Sequence, residues 1–249
     1  MTTSHAANPW LIWPKPNPQA RVRLFCFPYA GGGASLFRLW PDELPRDIEI
    51  CAIQPPGREN RFREPRYTNL SSLVPDLGTA ITPFLDMPFA FFGHSLGALA
   101  AFELARYLRR QQSPMTAQLL VSSHRAPQLP DRHPQTYQLS DAEFVTELRR
   151  LNGIPDAVAG NPDLMELMLP LLRADVEMAE TYSYTAEPPL PCPITAFGGA
   201  LDKDVNEEEL SEWREQTQGA FALHILPGDH FYFTANRATF LQSLVADLV

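Results

Sequence analysis

At 249 residues and 45% hydrophobic content, the chain is long enough to bury one large core, and single α/β domains commonly reach this size. A formal net charge of −9 and a pI near 5.1 argue against nucleic acid or an anionic membrane as a partner, since both select basic surfaces. Three cysteines cannot all pair, Cys26 and Cys51 lie inside apolar runs, and the first twenty residues lack a basic start followed by an apolar stretch, so the expectation is a soluble, cytoplasmic protein with free thiols and no secretory signal.

Short, nearly continuous apolar runs alternate with longer stretches of helical period, the pattern of a mostly parallel sheet covered by helices on both faces. The predicted fold class is α/β, as one domain over 1–249. A first strand at 22–27 runs into Phe27-Pro28-Tyr29-Ala30-Gly31-Gly32-Gly33, whose glycines let backbone amides approach a ligand closely. No Gly-Lys-Ser/Thr or G-x-G-x-x-G follows, so this loop is not read as a phosphate cradle. A second strand at 48–53 leads into a segment carrying Arg58, Arg61, Arg63 and Arg66. Next come a helix at 70–84, a strand at 89–92, a helix at 96–110 and a strand at 119–122. The second of these helices ends on Arg106, Arg109 and Arg110, where its dipole favours cations.

The segment 127–191 breaks the rhythm with two helical patterns and no strand. Ser140-Asp141-Ala142-Glu143 reads as a capping box opening a helix with Phe144, Leu148 and Leu151 on one face. A second helix opens with Asn161 as N-cap and Pro162 at its first position, with Pro170 expected to kink it. Its first half is apolar nearly all round, which predicts cover on more than one side. The pair reads either as a lid supplying an apolar acyl channel or as scaffold helices. The regular alternation then returns, with strands at 194–197 and 222–226 and helices at 207–216 and 237–248. The most apolar window, 85–105, contains Asp86, His94 and Glu103 and a glycine turn, so no membrane span is expected.

Gly93-His94-Ser95-Leu96-Gly97 has the form G-x-S-x-G, set between a predicted buried strand and a predicted helix. That is the context of a nucleophile elbow, in which a strained turn projects the serine hydroxyl at a helix N-terminus. Ser95 is therefore the predicted nucleophile, and His94 beside it is read as structural. A serine hydroxyl needs a base to take its proton, and with this elbow the acid and the histidine follow the serine in chain order. Of His124, His133, His224 and His230, the last follows the Pro227-Gly228-Asp229 turn after the final strand, at the sheet edge where such folds build their sites. His224 lies inside the strand and reads as structural. Asp202 and Asp204 both follow the preceding strand; Asp202, nearer its end, is the first choice for the acid that orients His230, and Asp229 is ranked last. The oxyanion hole is expected from the Leu96 amide and one from the first loop, with Ala30 as donor.

These segments together resemble the stand-alone type II thioesterases that accompany nonribosomal peptide and polyketide synthases. The resemblance rests on CFPYAGGGAS at 26–35, QPPGRENRFREP at 54–65, GHSLGALAAFELA at 93–105, FGGALDKDV at 197–205 and GDHFYF at 228–233; the PGRE-x-R portion is the most family-specific. It implies an α/β-hydrolase fold, a Ser95-Asp202-His230 triad, oxyanion amides from Ala30 and Leu96, and a helical lid at about 127–191. It further implies hydrolysis of acyl groups from the phosphopantetheine arm of acyl- or peptidyl-carrier proteins, with no metal or redox cofactor. The arginine segment then has two readings: Arg58 and Arg61 contact the arm's phosphate or an acidic carrier protein, or the segment is a solvated loop paired with Glu59 and Glu64. Alternatives sharing the motifs are a carboxylesterase or lipase acting on oxoesters, an acyltransferase or cyclase, and a non-catalytic carrier-binding module.

Overall fold

The computed structural model describes residues 8–150, 154, 158 and 160–248. Seven strands, β1 (Leu11–Ile12), β2 (Val22–Phe27), β3 (Ile48–Ile53), β4 (Phe89–His94), β5 (Gln118–Ser122), β6 (Ile194–Gly199) and β7 (Phe221–Leu226), form one sheet in the order β1-β3-β2-β4-β5-β6-β7. All adjacent pairs are parallel except β1 with β3. The short β1 carries too few residues to show a period, which is why sequence pattern missed it. The sheet ladder also carries β4 on to His94, opposite Ser122, and β6 on to Gly199, opposite Leu226, beyond the apolar residues that predict them.

Alternation along the strands builds two cores. Phe25, Phe27, Phe89, Phe91, Leu119 and Val121 face one side, while Leu24, Cys26, Ala90, Phe92, Leu120 and Phe197 face the other. The helices α1 (Leu70–Ile81) and α2 (Leu96–Arg110) cover the first face, and α7 (Arg237–Leu248) the second. The predicted helix at 70–84 stops as α-helix at Ile81 and continues as a 3-10 turn over Thr82–Phe84. Pro83 explains the change, because it has no amide to donate and crowds the preceding turn. The predicted helix at 207–216 likewise divides into α5 (Glu207–Ser211) and a 3-10 turn over Glu212–Gln216. A short α6 (Tyr232–Ala235) precedes α7.

The segment between β5 and β6 carries α3 (Asp141–Arg150) and α4 (Pro162–Glu180). The predicted caps form: Ser140 and Glu143 bond reciprocally, and Asn161 accepts from the Leu164 amide. Pro170 lies inside α4 without ending it. The expectation that the first half of α4 is covered on more than one side is corrected: of residues 162–170 only Met165 is buried, and Leu167 is 50% exposed. Instead Met165 and Leu172 pack with Phe144 and Leu148 in a third small core; Leu151 lies outside the described residues. Glu180 accepts from the Thr136 and Tyr137 amides, and Arg173 reaches Leu139 O at 2.9 Å and Asp141 at 2.7 Å, so the segment is tied to itself. The terminal arginines of α2 reach across instead of only facing their own helix end: Arg109 and Arg110 bind Glu187 at 2.6 and 2.7 Å. Among the described residues, no helix is long and apolar enough to cross a membrane.

From β2 the chain crosses to β3 on one side, and β4 then takes the other flank of β2. Open parallel sheets present a crevice at the carboxyl ends of strands where the order reverses in this way. Here the glycine loop after β2 meets the turn after β4.

Candidate active site

Ser95 stands between β4 and α2 with φ +54° and ψ −122°, a conformation costing a non-glycine residue on the order of 1–3 kcal/mol. Its surroundings fix it there. The Ser95 amide donates to Ser122 O at 2.7 Å, and its carbonyl accepts from the Ala98 amide at 2.9 Å. The two motif glycines are required by close approach of backbone. A Cβ on Gly93 would lie 2.2 Å from Gly97 O, and one on Gly97 would lie 2.3 Å from Phe27 O and 2.6 Å from Pro28 O. Phe27 and Pro28 begin the glycine loop, so Gly97 is the point where the serine turn and that loop touch.

The acid and base come together across the ends of β6 and β7. A Cβ on Gly199 would sit 2.2 Å from Asp229 O, so the two loops press on one another, and His230 Nδ1 meets Asp202 Oδ2 at 2.9 Å. Asp202 is the residue that makes this contact. Asp204, the alternative, faces His133 Nε2 at 3.2 Å, and the Asp229 carboxylate accepts from the Phe231 amide. The Asp202 carboxylate is fully buried; its other oxygen accepts the Asp204 and Val205 amides at 2.9 and 3.3 Å. Burial works against its charge, but bonds from His230, the Asp204 amide and the Ser123 hydroxyl outweigh that and hold its pKa below the usual carboxylate value. For His230 burial would lower the pKa, yet the bond to Asp202 and the charges of Asp202, Asp204 and Asp229 prevail and raise it above 6.5.

Ser95, His230, Ala30 and Leu96 line one cleft of about 160 Å³. Leu96 is the first residue of α2, so its amide belongs to the first turn, which has no intrahelical acceptor. Ser123 and His124 line the same cleft; Ser123 is not singled out by sequence, and His124 is considered there only as an alternative base. They arrive through the β4 and β5 pairing, which no local motif encodes. Burial and the adjacent Arg125 charge push His124 down to about 4, so it is neutral at neutral pH.

His94 is fully buried, its ring centroid 5.1 Å from that of His230. Its Nδ1 lies 2.8 Å from Ser122 Oγ, which lies 2.6 Å from Tyr232 OH, and burial followed by the neighbouring His230 and His124 keeps its pKa well below 6.5. His224 bonds Asp247 at 2.8 Å and stacks on Phe197. Both therefore serve packing. For Arg61 the expected pairing with Glu64 forms, but the solvated loop does not hold for it or for Arg58. Arg58 and Arg61 are 7% and 6% exposed, with Arg58 bonded to Asp175 at 2.7 and 2.9 Å and Arg61 to Glu64 and Gln54 O. Neither guanidinium is offered to a partner's phosphate, and neither lies in a solvated loop; Arg61 also sits 4.4 Å over the Trp10 ring, which gives its charge an apolar cover. Among the described residues, no group of three or more His, Cys, Asp or Glu side chains is placed to hold a metal ion.

Comparison with known proteins places this geometry. Residues 22–248 match the family model "Thioesterase domain". The gramicidin S biosynthesis protein GrsT of Aneurinibacillus migulanus is 43% identical over 248 residues, covering 100% of this chain and 97% of that protein. Thioesterase PikA5 of Streptomyces venezuelae is 40% identical over 90% of this chain and 79% of its own length. The solved structure of BorB, a type II thioesterase from the borrelidin biosynthetic cluster, superposes with a TM-score of 0.88 at 35% identity, covering 96% of this chain and 98% of that one. With its mostly parallel seven-stranded sheet and its strained serine turn, the chain belongs to the thioesterase family, as an α/β-hydrolase of the type II thioesterase kind.

Proposed function

We propose that the protein hydrolyses acyl or stalled peptidyl thioesters from the phosphopantetheine arm of carrier proteins in a nonribosomal peptide or polyketide system, with Ser95, His230 and Asp202 as its triad. The observation that carries the reading is that His230, bonded to the buried Asp202 at 2.9 Å, lines the same cleft as a serine held at φ +54°. A carboxylate can only accept, so the bond fixes the proton on Nδ1 of neutral His230 and leaves Nε2 free as the base. His230 takes the Ser95 proton as Oγ attacks the thioester carbonyl, and the Ala30 and Leu96 amides hold the oxyanion. Collapse expels the thiol, which takes the proton from His230 and leaves acyl-Ser95. A thiol of pKa near 8.5 is a good leaving group, so little protonation is needed at this step. Water, deprotonated by His230, then attacks the acyl ester, and return of the proton to Ser95 frees the acid. No step calls for a metal or redox cofactor.

The segment 127–191 acts as the lid over this cleft within a single domain of 1–249, since Leu172 and Val176 of α4 form part of the cleft wall. Three buried free thiols, Cys26, Cys51 and Cys192, suit the reducing cytoplasm. The test offers the same acyl group on a carrier protein, on coenzyme A and as an oxoester, and compares kcat/KM for wild type and Ser95→Ala. Preference for the carrier thioester and near-complete loss in the variant are expected. Undiminished turnover by Ser95→Ala refutes the nucleophile, and a large preference for oxoesters refutes the substrate class.

A further inference from the structure

The glycine loop after β2 is gripped from two sides by charged side chains that the proposed chemistry does not use. Tyr29 O accepts the Gly32 amide at 2.9 Å, closing a turn whose central residues are Ala30 and Gly31. Gly31 has φ +79°, which makes the turn type II. Type I and type II turns differ by a flip of the central peptide, here the one joining Ala30 to Gly31, so something must choose its direction. The Gly31 N–H of that peptide donates to Asp175 Oδ2 at 2.7 Å. Arg58 Nη1 donates to Gly32 O at 3.0 Å while the same guanidinium binds Asp175 through two bonds. Asp175 is 1% exposed and Arg58 7%. Asp175 belongs to α4, and one turn earlier Leu172 packs so closely that a Cβ on Gly31 would lie 2.5 Å from its Cδ2.

We infer that Asp175 and Arg58 are positioning residues that hold the oxyanion loop in its type II turn, so that seating of α4 on the sheet fixes the backbone at Ala30, whose own amide lies in the adjoining Tyr29–Ala30 peptide, relative to the reacting carbonyl. The inference rests on the proposed roles of Ser95 and Ala30. It gives the lid helix a part in catalysis beyond walling the cleft: with α4 displaced, Gly31 loses its acceptor and the central peptide is free to flip. A merely structural ion pair would behave differently, because replacing a buried pair with apolar residues of similar volume is often neutral or stabilising.

The experiment compares wild type, Asp175→Asn and the double variant Asp175→Leu/Arg58→Met. Thermal unfolding establishes that each is folded. Steady-state kinetics on the acetyl thioester of N-acetylcysteamine give kcat and KM, and the rate of Ser95 phosphonylation by a fluorophosphonate probe reports the oxyanion contact without a leaving thiol. The expected result is a folded double variant whose kcat and phosphonylation rate both fall about 10–100-fold, less than the full loss of an oxyanion donor, with KM within about threefold. Asp175→Asn, which keeps an oxygen for the Gly31 amide, should retain more of both rates than the double variant. A folded double variant with kcat and phosphonylation within about twofold of wild type overturns the inference. Should that variant not fold, Asp175→Ser read per folded molecule carries the same expectation and the same refutation. Failure of the probe to label wild-type Ser95 would instead sink the proposed nucleophile, so the two failures are distinguishable.

Discussion

Gly97→Ala tests whether the serine turn and the oxyanion loop are locked by backbone contact. The added Cβ would lie 2.3 Å from Phe27 O, 2.6 Å from Pro28 O and 2.7 Å from Phe27 C. Ordinary contact needs about 3.5 Å, so one partner must move by roughly 1 Å. Neither moves freely: Phe27 is paired with Gly93 in the sheet, and Gly97 sits in the first turn of α2. Overpacking of this kind costs about 1–3 kcal/mol, or roughly 2–12 °C in Tm for a domain of this size. The functional loss should be larger, because a displacement near 1 Å between reacting groups costs on the order of 100-fold. Gly78→Ala is the contrast, since its Cβ would meet side chains and no backbone, the Tyr107 ring 2.5 Å away at Cε1 and Leu104 Cδ1 at an ordinary 3.5 Å, and a ring can swing aside. The assay is kcat on a carrier-bound or small thioester at a temperature well below both melting transitions. If Gly97→Ala keeps kcat within about threefold of wild type while folded, the claimed lock between elbow and loop is wrong.

The pH profile follows from His230. Its neutral form is the base, and its pKa is raised above 6.5 by the bond to Asp202 and the charges of Asp202, Asp204 and Asp229 despite burial, so kcat/KM should fall with unit slope as pH drops through a midpoint above 6.5. Asp204→Asn should move that midpoint down; a midpoint below 6.5 in wild type would contradict the assignment. The same pair bears on stability: the His230 contribution is complete below 6.5 and lost as pH rises through its raised pKa, whereas the Asp202 contribution is present above 3.8 and lost as pH falls through its depressed one. Glu49→Ala removes a 2% exposed carboxylate bonded to Arg23 at 2.9 Å. The loss should be about 3 kcal/mol, the lower end for a broken buried pair, because Asp86 still faces Arg23 at 2.8 Å. A urea midpoint unchanged from wild type would refute this, and kcat at low temperature should be unaffected, as Arg23 and Glu49 stand near the starts of β2 and β3 while the cleft lies past the strands' carboxyl ends.

What sequence by itself determined is local or ordered along the chain. The strands at 22–27 and 48–53 and the helices at 96–110 and 237–248 coincide with the observed elements, because continuous apolar runs and 3.6-residue periods are set by the two-sided burial each element needs. The elbow was legible because Gly93 and Gly97 answer a clash within one turn and across one strand. His230 and Asp202 were legible from chain order, since each follows a strand whose carboxyl end must open on the same crevice. Distance from the strand end ranked Asp202 ahead of Asp204, but the sequence could not show where each carboxylate points; in the fold Asp202 reaches the imidazole of His230 while Asp204 faces His133. The arginines show the limit most clearly. A run of Arg and Glu looks like a solvated or partner-binding surface until Asp175, 117 residues away, is brought against Arg58. A charge becomes a buried hinge pin instead of a surface contact only through a long-range partner, and such partners leave no periodicity for a sequence to display.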